Sequence, residues 1–280
     1  MAIAVNATTS TTSSTGASSF SLNHTAAGSD RLLLVFVSVL RGTAAAISVT
    51  SCTFGGTAMT QANTRQWTDT SRGRTYRESL YYLINPVTTE QAVSVTTSVN
   101  STHTVIAAVS LTGVLQSGPL GNVSAADLAN TTAASQTVTT TADNSWLVAA
   151  AMQNAATLSY TPGTGVTELF DLSTGAITGV GFYKAVAAAG SATVDATGSA
   201  NAYGVIVAAE IKAAATATTG TGAATLGAVT TTAAGARRHR RGRGDTGRRH
   251  RRGLFHAGDA GRGRGDARRG QWHGRRGAGD

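Results

Sequence analysis

The chain has 280 residues, 41% of them apolar and only 13% charged, with Gly, Ala, Ser and Thr filling much of the rest; this disfavours a helical bundle or coiled coil, which needs Glu, Lys, Leu and Arg in quantity. The net charge of +9 is uneven: residues 1–235 carry 8 Lys+Arg against 10 Asp+Glu, whereas residues 236–280 carry 15 Arg against 4 Asp, so the basicity belongs to the last segment. A single cysteine, Cys52, excludes an internal disulfide and any multi-cysteine metal site, and no apolar run is long enough for a membrane-spanning helix, so neither a cofactor nor membrane insertion is expected.

The opening MAIAVNATTS has neither the basic nor the apolar region of a secretory signal, which leads to the expectation of assembly inside a host cell. Strands are expected at 2–6 and 18–23. Leu32 to Val39 is apolar on both faces, as suits a strand in mid-sheet with something covering each side. Strands at 47–54 and 57–63 flank Gly55-Gly56, two residues that tolerate the positive φ of a tight hairpin. The strand over 75–84 ends at Asn85-Pro86, because proline removes a ladder donor and restricts the residue before it. Between Ala92 and Val99, Val93, Val95 and Val99 share one face and Ser94, Thr96 and Ser98 the other, the alternation of a half-buried strand.

Strands at 103–112 and 135–140 follow, then Trp146 to Met152, again apolar on both faces, then 165–170 and 177–186. Ala192, Val194 and Ala196 oppose Thr193, Asp195 and Thr197. In the last strand Tyr203, Val205, Val207, Ala209 and Ile211 oppose Gly204, Glu210 and Lys212, which puts the far end of that strand in water. Many short strands punctuated by Gly, Asn and Ser, without helical periodicity, predict an all-β antiparallel sandwich over residues 1–213.

The succession RLLLVFVSV, SVTSCTFGGTAMT, ESLYYLINPVTTEQAVSVTTS and HTVIAAVSLTGVLQSGPLGN resembles a jelly-roll-like β-sandwich module of phage virion-associated proteins and of bacterial surface or secreted proteins. The resemblance covers about residues 18–212 and rests on the Gly55-Gly56 hairpin with Met59-Thr60, on Asn85-Pro86, and on Thr112-Gly113-Val114 running to Pro119-Leu120-Gly121. It implies a jelly-roll-like fold and a structural or adhesive role, in a virion or at a bacterial surface, with other virion or surface proteins as partners and a homo-oligomer among the possible assemblies. It carries over no catalytic residue.

Chemistry-bearing groups are sparse, and no enzyme is expected. His24 and His103 belong to no HExxH or Cys/His spacing, and neither GxSxG, nor a Walker loop, nor a GxGxxG after a strand occurs. Glu168 and Asp171 are close in sequence, as an ordinary loop pair is, and spacing alone does not make them a facing acid/base pair. Cys52, on a strand beside Phe54, reads as a small core residue. The N-x-S/T triplets beginning at Asn6, Asn23, Asn100, Asn122 and Asn130 follow from the threonine content.

One segment stands out: RQWTDTSRGRTYRE, from Arg65 to Glu78. Long loops on rigid sandwiches are where recognition concentrates, so Arg65, Trp67, Asp69, Arg72, Arg74 and Tyr76 are the candidate ligand-binding residues, with the aromatics stacking on a sugar ring and the polar groups bonding its hydroxyls. The alternative is a solvated hairpin whose charges keep it from pairing with neighbours. A carbohydrate-binding module of a bacterial surface protein is therefore the second reading of function.

Residues 214–235 are rich in Ala, Thr and Gly, with Leu226 the one bulky apolar residue, and read as a low-complexity spacer similar to the TLGAVT-type repeats that follow β domains in phage structural proteins. Residues 236–280 cannot form a core and read as a disordered tail. Their arginines suggest non-specific nucleic-acid binding, with Phe255 and Trp272 available to stack on bases, and two Arg-Gly-Asp triplets begin at Arg243 and Arg264. A one-base shift of reading frame explains more: Gly244 to Arg251, read in the second frame, permits Ala-Thr-Leu-Gly-Ala-Val-Thr, the text of Ala224 to Thr230. The tail thus reads as an out-of-frame copy of the spacer.

Overall fold

Fifteen strands and no helix make up residues 2–215, the part of the chain that a computed structural model describes. The strands are β1 (Ala4–Ser13), β2 (Ala17–His24), β3 (Leu32–Arg41), β4 (Val49–Phe54), β5 (Thr57–Ala58), β6 (Thr60–Asp69), β7 (Arg74–Ile84), β8 (Gln91–Ser101), β9 (His103–Thr112), β10 (Leu120–Thr139), β11 (Ser145–Gln153), β12 (Tyr160–Pro162), β13 (Val166–Ser173), β14 (Thr178–Val186) and β15 (Ser191–Ile211). Every pairing is antiparallel. The spacer and the arginine-rich tail lie outside the described residues.

The expected sandwich resolves into two. In the first, a five-stranded sheet of order β1-β9-β3-β7-β6 packs on a four-stranded sheet of order β2-β8-β4-β5. Successive strands from β1 to β4 switch between the two sheets, the connection of a jelly roll. In the second, β10-β15-β11-β14-β13 repeats the order of the five-stranded sheet strand for strand. The far halves of β10 and β15, joined by β12, fold over that sheet as β2, β8 and β4 do in the first sandwich: Leu128, Ala134, Val138, Val194 and Tyr160 close a core against Leu147, Ala149, Phe182 and Ile206.

The correspondence extends to registers and irregularities. Leu32 pairs with Ile84 and Leu111, and Trp146 pairs with Ala185 and Ile211 at the equivalent place. The register of β1 shifts between Val5 and Ala7 and that of β10 between Leu120 and Val123; β6 shifts between Gln61 and Asn63 and β13 between Glu168 and Phe170. Asp30 and Asn144, which precede β3 and β11, both take positive φ, at 51° and 55°. Bulges placed alike in two halves of one chain mark an internal duplication.

The two five-stranded sheets face each other. Phe36, Leu80 and Val109 from the first meet Val148, Phe170 and Val207 from the second, with Phe36 and Phe170 ring centroids 5.5 Å apart. β6 packs over β10 and β15, while β1 and β9 pack over β13, so these contacts exchange when the halves are exchanged and the interface is roughly two-fold; it departs from symmetry at β7, which packs on β11 and β15 more extensively than β14 does on β3 and β9. The layers therefore run outer sheet, inner sheet, inner sheet, outer layer. This is why residues 32–40 and Ser145–Gln153 are buried on both faces, as the apolar runs Leu32 to Val39 and Trp146 to Met152 require. Gly55 and Gly56 adopt φ of 55° and 81°, the hairpin their sequence predicts.

Three expectations are corrected. The strand at 135–140 is the end of a 20-residue strand that begins at Leu120. Strands 192–197 and 203–211 are one bent strand, β15, whose pairing with β10 breaks near Asn130, a residue at φ 53°. In β8 the buried position after Val95 is Thr97, whose Oγ1 donates to the Val99 carbonyl at 2.7 Å, and Val99 turns outward where the register with β2 breaks, Ala17 pairing with Ser101 and Ser19 with Thr96, so that β8 carries extra residues there.

Candidate functional site

β6 and β7 form a hairpin whose turn, residues 70–73, closes with Gly73 at φ 62°. Because β6 is the edge of its sheet and lies across β10 and β15, the hairpin's side chains reach the second sandwich. Arg65 donates through Nε and Nη2 to both carboxylate oxygens of Asp127 on β10, at 2.8 and 2.6 Å. Asn63 Nδ2 donates to the carbonyls of Ser124 and Ala208 at 2.7 and 3.1 Å. Trp67 is half-buried between Tyr76 and Tyr203, with centroids 5.5 and 5.8 Å away. The Arg72 guanidinium lies 3.6 Å over the Tyr203 ring, and Arg74 Nη1 donates to Asn154 Oδ1 at 2.7 Å.

Asp69 fixes the turn. Its carboxylate accepts from Ser71 Oγ at 2.6 Å, from the Arg72 backbone N–H at 3.1 Å and from Arg72 Nη1 at 2.9 Å. The Ser71 hydroxyl and then the Arg72 guanidinium hold this carboxyl below its ordinary range. Tyr76 is fully buried among Leu40, Val105 and Met152, so it presents no ring face to a ligand and leaves the proposed site. The six sequence candidates thus lie on one hairpin, and four of them, Arg65, Trp67, Arg72 and Arg74, join the sandwiches, since Asp127, Asn154 and Tyr203 all belong to the second one. The outward-facing remainder is Trp67, Arg72 and Tyr203.

Two buried acids, Glu78 and Glu210, carry structural weight. Glu210, expected at a solvated strand end, is fully buried. It accepts hydrogen bonds from the backbone N–H groups of Asn122, Thr141 and Ala142 and from Thr141 Oγ1, between 2.8 and 3.3 Å, and so anchors the start and the end region of β10 to β15. Its neighbour Gly121 allows this, because a Cβ there would collide with the carboxylate. Glu78 is fully buried between the sandwiches; Ser38 Oγ donates to its Oε2 at 2.5 Å, and burial pushes its pKa up to about 8. For Glu210 the available signal was a lone acid inside the apolar run Val205 to Ile211; Glu78 stands between Arg77 and Ser79, and nothing in its strand sets it apart from a solvated acid.

The remaining candidates have structural placements. Glu168 and Asp171 lie on the edge strand β13 on either side of its register shift; burial and, for Glu168, the charge of Asp171 raise both carboxyls, and Asp171 Oδ2 accepts the Tyr160 N–H at 3.3 Å. His24 is buried and shares a 2.8 Å hydrogen bond with Thr9, and burial lowers its pKa. Cys52 is a core residue 3.6 Å from Met59 Sδ, with its thiol pushed up to about 12 by burial. Among the described residues no group of three His, Cys, Asp or Glu side chains is placed to hold a metal. Comparison with protein-family models, curated proteins and solved structures finds no match for this chain.

Proposed function

We propose that the chain is a non-enzymatic structural or adhesion module of a phage particle or bacterial surface, working as a rigid body that presents loops to neighbouring virion or surface proteins. The observation that supports this reading is the use made of the most functional-looking segment: Arg65, Trp67, Arg72 and Arg74 bind Asp127, Tyr203 and Asn154 across the duplicated sandwiches, so its polar and aromatic groups serve cohesion. Four β layers joined by such ties resist deformation, which suits a load-bearing or display role. The test is fractionation of source cells or lysates. The chain is expected in purified particles or in the surface fraction; recovery only in the particle-free soluble fraction overturns the reading.

A second reading, a carbohydrate-binding module, draws on the half-exposed Trp67 and Tyr203 with Arg72 over the latter. A glycan array separates the two. The structural reading expects no binding that depends on Trp67; glycan binding lost in Trp67→Ala, with the melting temperature of that variant confirming a folded protein, replaces it with the carbohydrate reading. Nucleic-acid binding rests on the arginines of residues 236–280, outside the described residues, and is expected to be non-specific and steeply weakened by salt.

A further inference from the structure

Every sheet has edges, and an edge strand with free N–H and C=O groups invites another strand unless something blunts it. The edges in this protein are treated unequally. β5 and β12 are two and three residues long. β6 carries Arg65 and Asp69, and β13 carries Glu168 and Asp171. β10 carries Asp127, clasped by Arg65, and its pairing with β15 is interrupted by three register shifts.

β1 has none of these defences along most of its length. It is ten residues long, AVNATTSTTS, and regular from Ala7 to Ser13; residues 2–29 contain no Asp, Glu, Lys or Arg. Among the described residues its backbone pairs with β9 alone, so its outer row of backbone groups faces outward. Thr8, Ser10 and Thr12 are exposed, with Thr9, Thr11 and Ser13 alternating on the other face. β2 is also uncharged, but it is shorter and its register breaks between Ala17 and Ser19.

We propose that β1 pairs with β1 of a second copy of this chain, antiparallel about a two-fold axis at Ser10, making one continuous sheet from two five-stranded ones. The strand is complementary to itself in that arrangement. Ser10 meets its own counterpart, Thr8 meets Thr12 and Thr9 meets Thr11, so hydroxyl-bearing residues oppose one another on both faces and no like charges are brought together. A charged partner strand would find no compensating group on β1, which is why a second copy fits better than a basic or acidic peptide. The pairing is isologous, as is the contact between the two halves of the chain, and it closes at two copies.

The experiment is sedimentation of the full chain from about 1 to 100 µM, a range that brackets ordinary self-association, with Ser10→Lys and Ser10→Glu alongside. The expected result is a dimer for the parent chain, a monomer for each variant alone, because like charges then face each other, and recovery of the dimer when the two variants are mixed in equal amounts. Ser10 is exposed, and a single cooperative melting transition together with an unchanged far-UV circular dichroism spectrum verifies that each variant is folded. A parent chain that stays monomeric throughout overturns the proposal, as does a dimer indifferent to Ser10→Lys or a mixture that fails to re-pair.

Discussion

Glu78 is the residue whose chemistry most constrains the behaviour of the whole. Folded, it holds its proton up to about pH 8; unfolded, it releases it near the ordinary carboxyl value of 4.5. Between these values the folded state binds the extra proton, so stability falls as pH rises, by at most about 1.4 kcal/mol per unit for a single group. Above pH 8 both states are ionised and this group adds no further slope. Glu78→Gln removes the dependence while keeping an acceptor for Ser38 Oγ. Urea midpoints between pH 5 and 8 are therefore expected to decline in the parent chain more steeply than in the variant; parallel declines disprove the assignment.

At the scale of elements, close approaches replace large side chains. Gly181 on β14 lies against the Phe170 ring and Gly204 on β15 against the Met152 carbonyl, where a Cβ would overlap in each case. Gly181→Ala is expected to push Phe170 away from Phe36 and to cost about 1–3 kcal/mol, the usual range for overpacking, read as a lowered urea midpoint. An unchanged midpoint shows that Phe170 has room to yield. Such small residues also explain what the sequence hides. Val93 and Val95 stand out against serines and threonines, so their strand is legible, whereas Leu120 to Ala134 holds mostly Ala, Ser, Asn and Thr and breaks register, so little periodicity survives. The duplication leaves only a trace, Val105-Ile106 and Ala108 against Val205-Ile206 and Ala208, because most equivalent positions demand only a small or apolar side chain. The Arg65 to Glu78 segment is legible as unusual; its partners Asp127, Asn154 and Tyr203 are not, since they come from the other half of the fold.

For the whole molecule, the link between halves, residues 113–119, is a connection the interface can do without. Ser117 and Gly118 within it are exposed. A protease site inserted between them and then cut is expected to leave the two fragments co-eluting as one particle, held by the shared core and by Arg65–Asp127, with a melting temperature that now depends on concentration. Fragments that separate at micromolar concentration contradict an interface of that strength.

Joining the halves in one chain also changes what mutation can reach. In a dimer of identical subunits every substitution is made twice, at mirrored places, and a new charge must be tolerated at both. Here Arg65 faces Asp127 while the mirrored strand positions hold Leu172 and Thr12, and Glu78 occupies one side of the axis while Gly179 occupies the other. A symmetric assembly would carry two such ion pairs and two buried acids, or neither. The linked form is free to place each once, so one half can specialise in cohesion while the other varies its exterior.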